Sequence, residues 1–112
     1  MSLTSGSFQI LDYKTDCFRI SLSGALTGAD VQQLRQEVAQ SIENGYGVVY
    51  VDAKGVSETD LSGINEVINA HYTLDKAGKK LVFLYQKGSP VETWVETTGL
   101  DKFVATARVP AA

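Results

Sequence analysis

At 112 residues and 12.1 kDa the chain is one domain's worth of sequence, long enough to bury about 60 to 70% of its unfolded surface without disulfides or metal. A single cysteine, Cys17, and a single histidine, His71, exclude an internal disulfide framework and a Cys/His zinc cluster, and a net charge of -3 with scattered Lys and Arg excludes the basic stripe that nucleic-acid binding needs. No apolar run approaches the roughly 20 residues that span a bilayer and no signal-peptide pattern opens the chain, so a cytoplasmic protein without direct membrane insertion is expected.

In chain order, residues 1–6 show no periodicity and are expected to be a tail, disordered or left from expression, with the folded domain over residues 7–112. Phe8 to Tyr13 and Cys17 to Leu22 are β-prone runs on either side of Lys14-Thr15-Asp16, a polar turn of hairpin length, and should pair antiparallel. Thr27 and Asp30 make a capping-box-like pair ahead of Val31, Leu34, Val38 and Ile42, which recur at helical spacing until Asn44-Gly45. Val48 to Val51 is a short apolar run without alternation, which reads as a central strand buried on both faces.

A second helical stripe follows in Ile64, Val67, Ile68, His71 and Leu74, ending near Ala77-Gly78. Leu81 to Tyr85 is another central strand, and Ser89-Pro90-Val91-Glu92 is a complete helix start, with Gly99 as its stop. Phe103 to Ala107 can add a last short strand. The order β-β-α-β-α-β-α-β predicts an α/β single domain, a mixed sheet with an N-terminal hairpin and helices packed against it.

Chemistry is sparse. Asp52, Glu58 and Asp60 lie within one expected loop region, from Asp52 after the central strand to the start of the second helix, but nothing supplies a nucleophile, a base and a group to orient them, so no catalytic residue is assigned and an enzyme is not expected. His71 and Trp94 sit at core spacing. The glycines form neither G-x-G-x-x-G nor G-x-x-x-x-G-K-[ST], so no cofactor is assigned, and no metal ligands converge.

The stretch Thr59-Asp60-Leu61-Ser62-Gly63-Ile64 stands at a strand-to-helix connection, where α/β folds carry ligand contacts. Asp60 or Ser62 can cap the following helix through its free amides. A phosphoryl group on a first-turn hydroxyl would suit the same amides while altering the surface charge by about -1.5 to -2, so modification there would switch binding rather than folding. Leu61 either extends the Ile64 and Ile68 stripe inward or stands out as an apolar anchor.

Val51-Asp52-Ala53-Lys54-Gly55-Val56-Ser57-Glu58-Thr59-Asp60-Leu61-Ser62-Gly63 resembles, without a gap, the V-D-L-S-x-V-x-F-[IM]-D-S-[ST]-G signature of STAS domains, the sulfate-transporter and anti-sigma-factor-antagonist family. The similarity continues through Ala77-Gly78, Leu81 to Leu84, Ser89 with Val91, and Thr98-Gly99-Leu100 to Phe103. The resemblance implies a stand-alone bacterial regulatory module that docks a protein partner through Ser57, Glu58, Thr59, Asp60, Leu61, Ser62 and Gly63 and the first turn of the next helix. It implies as partner an anti-sigma factor that is also a serine kinase, released when the serine after the Asp is phosphorylated. Leu61 fills that acceptor slot here and has no hydroxyl, and Glu58-Thr59 replace the apolar pair before the Asp. Ser62 or Thr59 is then the remaining candidate for phosphorylation. The departure also leaves open two alternatives: a STAS subunit bound to the ATPase of an ABC-type lipid transport complex, and a component of a chemotaxis or stress-signalling array. Whether the protein is a monomer or a homodimer is open at this point.

Overall fold

The computed structural model of the chain describes residues 2–10, 15–28 and 31–110. Its elements follow the expected order: β1 (Ser2–Ile10), β2 (Thr15–Leu26), α1 (Val31–Glu43), β3 (Val48–Thr59), α2 (Leu61–Lys76), β4 (Lys80–Gln86), α3 (Pro90–Thr98), a 3-10 turn (Leu100–Lys102) and β5 (Ala105–Val109). The strands form one five-stranded sheet in the order β1-β2-β3-β4-β5. β1 is antiparallel to β2, and β2 to β5 run parallel.

Each parallel strand is laid beside its predecessor in the same direction, and right-handed crossovers then set all three helices on one face. That corrects the expectation of strands buried on both faces. In β3 Val49 and Val51 are fully buried while Val48 and Tyr50 are half-buried, and in β4 Leu81, Phe83 and Tyr85 are buried while Val82 and Leu84 between them are not. An unalternating apolar run thus came from one packed face and one half-covered face, which hydropathy alone does not separate.

The first strand also differs from its predicted bounds. Pairing with β2 takes in Ser2 opposite Ser23 through Ile10 opposite Thr15, so Ser2 to Gly6, expected as part of a tail, are strand, and Thr15 and Asp16, expected as turn, belong to β2. Ladder hydrogen bonds come from the backbone and need no apolar periodicity at a sheet edge. Leu11 to Lys14, which hold the remainder of the expected strand and turn, lie outside the described residues, as does Asp30 of the expected cap before α1.

The helix starts and stops obey local chemistry. Ser89 caps α3, its hydroxyl accepting from the Glu92 amide, Pro90 opens the helix, and Gly99 ends it in the left-handed region at φ 69°. The chain then makes the 3-10 turn before β5, which delays the last strand to Ala105 and leaves Phe103 on the surface, 54% exposed. His71 is half-buried in α2, and Trp94 is partly buried against the core.

Candidate functional site

The site lies where β3 hands over to α2, and two irregularities in β3 put it there. Ser21 pairs with Asp52 and Ser23 with Gly55, so Ala53 and Lys54 face Leu22 alone; Gly24 pairs with Val56 and Ala25 with Glu58, which leaves Ser57 extra. Bulges of this kind bend a strand and re-aim its side chains. They break the alternation, so that Val51, Asp52 and Ala53 are buried in succession. They also let β3 continue to Thr59, where a loop was expected from Asp52 onward. Ser57, Glu58 and Thr59 are therefore strand residues; Ser57 and Glu58 are exposed at its end.

The first bulge is held by a buried charge. Asp52, 3% exposed, accepts the Lys54 amide on Oδ1 at 3.0 Å. Its Oδ2 takes the Arg19 guanidinium from β2 and the Lys54 ammonium at 3.4 Å. Burial pushes the Asp52 carboxyl up, but the Lys54 amide, the Arg19 hydrogen bond and the two cations together outweigh it and hold its pKa below the ordinary aspartate value. A depressed folded pKa contributes stability that is complete above the unfolded pKa and is lost as pH falls through the folded one. Urea midpoints measured from about pH 6 down to pH 2 should therefore fall less steeply in Asp52→Asn than in the parent chain. Equal slopes would remove Asp52 from the acid response.

At the handover Asp60 is the N-cap of α2, extended at φ -130° and ψ -178°, and its Oδ1 accepts the Gly63 amide at 2.9 Å. The Gly28 amide lies 3.4 Å from its Oδ2, so one carboxylate ties the segment leaving β2 to the start of α2. The Thr59 hydroxyl donates to the Leu26 carbonyl at 2.7 Å. Gly63 sits against both groups: a Cβ there would lie 2.5 Å from Thr59 Oγ1 and would press into the Leu26 carbonyl oxygen. Thr59, Asp60 and Gly63 therefore fix where α2 begins.

Against that clamp, the two remaining residues project. Leu61, the first residue of α2, is 55% exposed, so its side chain points outward and does not extend the buried Ile64 stripe. Ser62 is exposed beside Gly28, where an added Cβ would approach its Oγ at 3.4 Å. The two hydroxyls differ in kind: Thr59 is engaged with a backbone carbonyl inside the clamp, and Ser62 faces outward. Asp52 and Asp60 hold separate partners, so the structure does not make them a carboxylate pair.

Two features escaped the sequence reading. Glu66 is 4% exposed and accepts Arg35 of α1 in a bidentate pair, Nε at 3.1 Å and a terminal nitrogen at 2.8 Å. No local signal marks a contact between residues 31 positions apart. Leu61 is also continued along α2 by exposed Tyr72; the i, i+11 spacing is present in the sequence, but the stripe of Ile64, Val67, Ile68, His71 and Leu74 leaves Tyr72 out.

Residues 11–106 match the family model described as "Mlab, STAS domain". Among solved structures, an anti-sigma factor antagonist from Mycobacterium paratuberculosis superposes with a TM-score of 0.74 at 17% identity, over 94% of this chain and 85% of that one. The phosphorylated form of the Bacillus cell fate determinant SpoIIAA gives 0.63 at 19% identity, over 97% and 92%. A putative anti-sigma factor antagonist from Thermotoga maritima gives 0.72 at 14%, over 96% and 86%. At these identities the likeness is one of fold. Among the curated proteins none matches the sequence.

Proposed function

This chain belongs to the STAS domain family, and from that premise we propose that it is a non-catalytic regulatory module of the anti-sigma-factor-antagonist type. It docks a protein partner through Ser57 to Gly63 and the first turn of α2. The observation that carries the reading is Leu61: a large apolar side chain, 55% exposed, held at the tip of a helix whose backbone is clamped by Asp60, Thr59 and Gly63. A pre-positioned apolar residue loses little freedom on binding and serves as an anchor. The partner is an anti-sigma factor or serine kinase. If the contact is switched by phosphate, Ser62 is the acceptor and Thr59 is not, since the Thr59 hydroxyl is already given to the Leu26 carbonyl.

A second reading, a subunit seated on the ATPase of a lipid-transport ABC complex, draws on the same residue. A leucine in the acceptor slot suits a constitutive contact, which needs no phosphorylated serine.

One experiment separates them. The protein and its Leu61→Asp variant are used as bait in lysate from the native cell, and the recovered partner is identified by mass. Leu61→Asp should weaken recovery at least about tenfold, the loss of one anchor worth 1.4 kcal/mol or more, with unfolding unchanged. A kinase or an ATPase in the eluate selects between the readings, and phosphate mapped on the recovered bait reports on Ser62. Equal recovery by both baits would remove this turn from the interface.

A further inference from the structure

Four of the five strands run parallel, yet α1, α2 and α3 all lie on one face of the sheet. Parallel sheets are covered on both faces in almost all proteins. Strand alternation sorts the residues of the other face into rows. Tyr50, Val82 and Ala105 are in register across β3, β4 and β5, and Asp52, Leu84 and Ala107 form the next row, with Val48 and Lys80 before them. Val48, Tyr50, Val82 and Leu84 are half-buried and the two alanines exposed, so an apolar strip is open to solvent. It crosses two interstrand spacings, about 10 Å, which is the breadth of one helix.

The border of the strip is cationic. Lys80 stands beside Val48, and Arg19 of β2 beside Tyr50. Arg19 and Lys54 both reach the Asp52 carboxylate, while their side chains stay 47% and 38% exposed. Asp52 is the one carboxylate in these rows among the described residues; it is buried, and Glu58 lies past the second bulge. Three cations therefore stand against one buried, already paired anion, on a chain whose net charge is -3.

We propose that this open face seats an acidic amphipathic helix of a partner protein, its apolar stripe on Tyr50, Val82 and Leu84 and its flanking carboxylates on Arg19, Lys54 and Lys80. The width of the strip suits one helix, and a helix laid on a sheet is how α/β folds cover a parallel face. Carboxylates accept strong, charge-assisted bonds from arginine and lysine, which fixes the sign of the occupant. The same charges disfavour other occupants. A second copy's open face would bring these cations against their own kind, and an anionic bilayer would repel the acidic remainder of the chain. Since α2 lies on the opposite face of the sheet, this contact neither requires nor blocks docking at Leu61.

Amide chemical-shift mapping of the isotope-labelled chain tests it with a defined probe: a capped peptide of about 14 residues, roughly 20 Å as a helix, with a leucine stripe flanked by glutamates. A second peptide carries lysine at each glutamate position. The glutamate peptide should move the amides of Tyr50, Val82, Leu84 and Ala105 and leave those of Leu61 and Ser62 in place, and the lysine peptide should bind at least about tenfold more weakly. Lys80→Glu should weaken the glutamate peptide about fivefold, the upper value of one exposed ion pair. Lys76→Glu, in the last turn of α2, should bind it like the parent. Unmoved amides on this face, equal binding of the two peptides, or a Lys80→Glu variant that binds like the parent overturns the proposal. Amides here that move with chain concentration alone give the face to a second copy, and co-sedimentation with phosphatidylglycerol vesicles that Lys80→Glu abolishes gives it to lipid; either result also overturns it.

Discussion

Gly63→Ala is expected to cost about 3 kcal/mol, the upper part of the range for forcing atoms into a packed site, and to lower Tm by roughly 10 to 20 °C. The added methyl would lie 2.5 Å from Thr59 Oγ1 and 3.1 Å from Leu26 Cγ, and would collide with the Leu26 carbonyl oxygen. None of these can retreat cheaply. Leu26 is 1% exposed, and its carbonyl is already the acceptor for the Thr59 hydroxyl. Relief requires the first turn of α2 to move off β2, which breaks the Asp60 bonds to the Gly63 and Gly28 amides. Gly45→Ala is the comparison: its φ of +80° strains an alanine, but nothing lies within 4 Å of the new Cβ, so only the conformational cost of about 1 to 2 kcal/mol applies. Urea or thermal unfolding followed by circular dichroism measures both. A Gly63→Ala variant within about 0.5 kcal/mol of the parent, the scatter of ordinary surface substitutions, would mean that the clamp yields.

Arg35→Ala should be clearly destabilising, while Arg35→Ala combined with Glu66→Met should recover much of the loss. Glu66 is 4% exposed, between α1 and α2, and the Arg35 guanidinium occupies both of its oxygens. Removing Arg35 leaves a buried carboxylate without its counter-charge, and the penalty comes from that desolvated group more than from the lost attraction. A methionine of similar volume has no charge to solvate and can pack in the space. Unfolding curves for the two single variants and the double one give the coupling directly. If the double variant is as unstable as Arg35→Ala, the pair acts through packing of the arginine stem and not through charge.

The fold was largely legible because its determinants are local. Helical spacing of Ile64, Val67 and Leu74, the Ser89-Pro90-Glu92 start and the Gly99 stop are set by neighbours within a turn or two, and each stands in α2 or α3 as read. Order and composition were enough to give an alternating α/β chain with an N-terminal hairpin, since short connections leave few topologies open. The ungapped stretch from Val51 to Gly63 resembles the STAS signature, and the match to the family model includes it.

Less legible was whatever depends on residues far apart in the chain. Hydropathy could not distinguish one covered sheet face from two, because half-buried Val48 and Val82 are as apolar as buried Val49 and Leu81. Residues 57–59 read as loop because polar residues lack a strand pattern, yet parallel pairing of Glu58 with Ala25 and Thr59 with Leu26 makes them strand. By itself the sequence determined the elements, their order and the place of the Asp60-Leu61-Ser62 turn, since these follow from spacing and capping along one chain. Only the tertiary structure decided that Leu61 points outward, that Thr59 is tied to Leu26 while Ser62 is not, and that Asp52 and Glu66 are buried with cations. Those outcomes belong to contacts about thirty residues apart, where burial and hydrogen bonding are set by the neighbour that arrives and not by the residue itself.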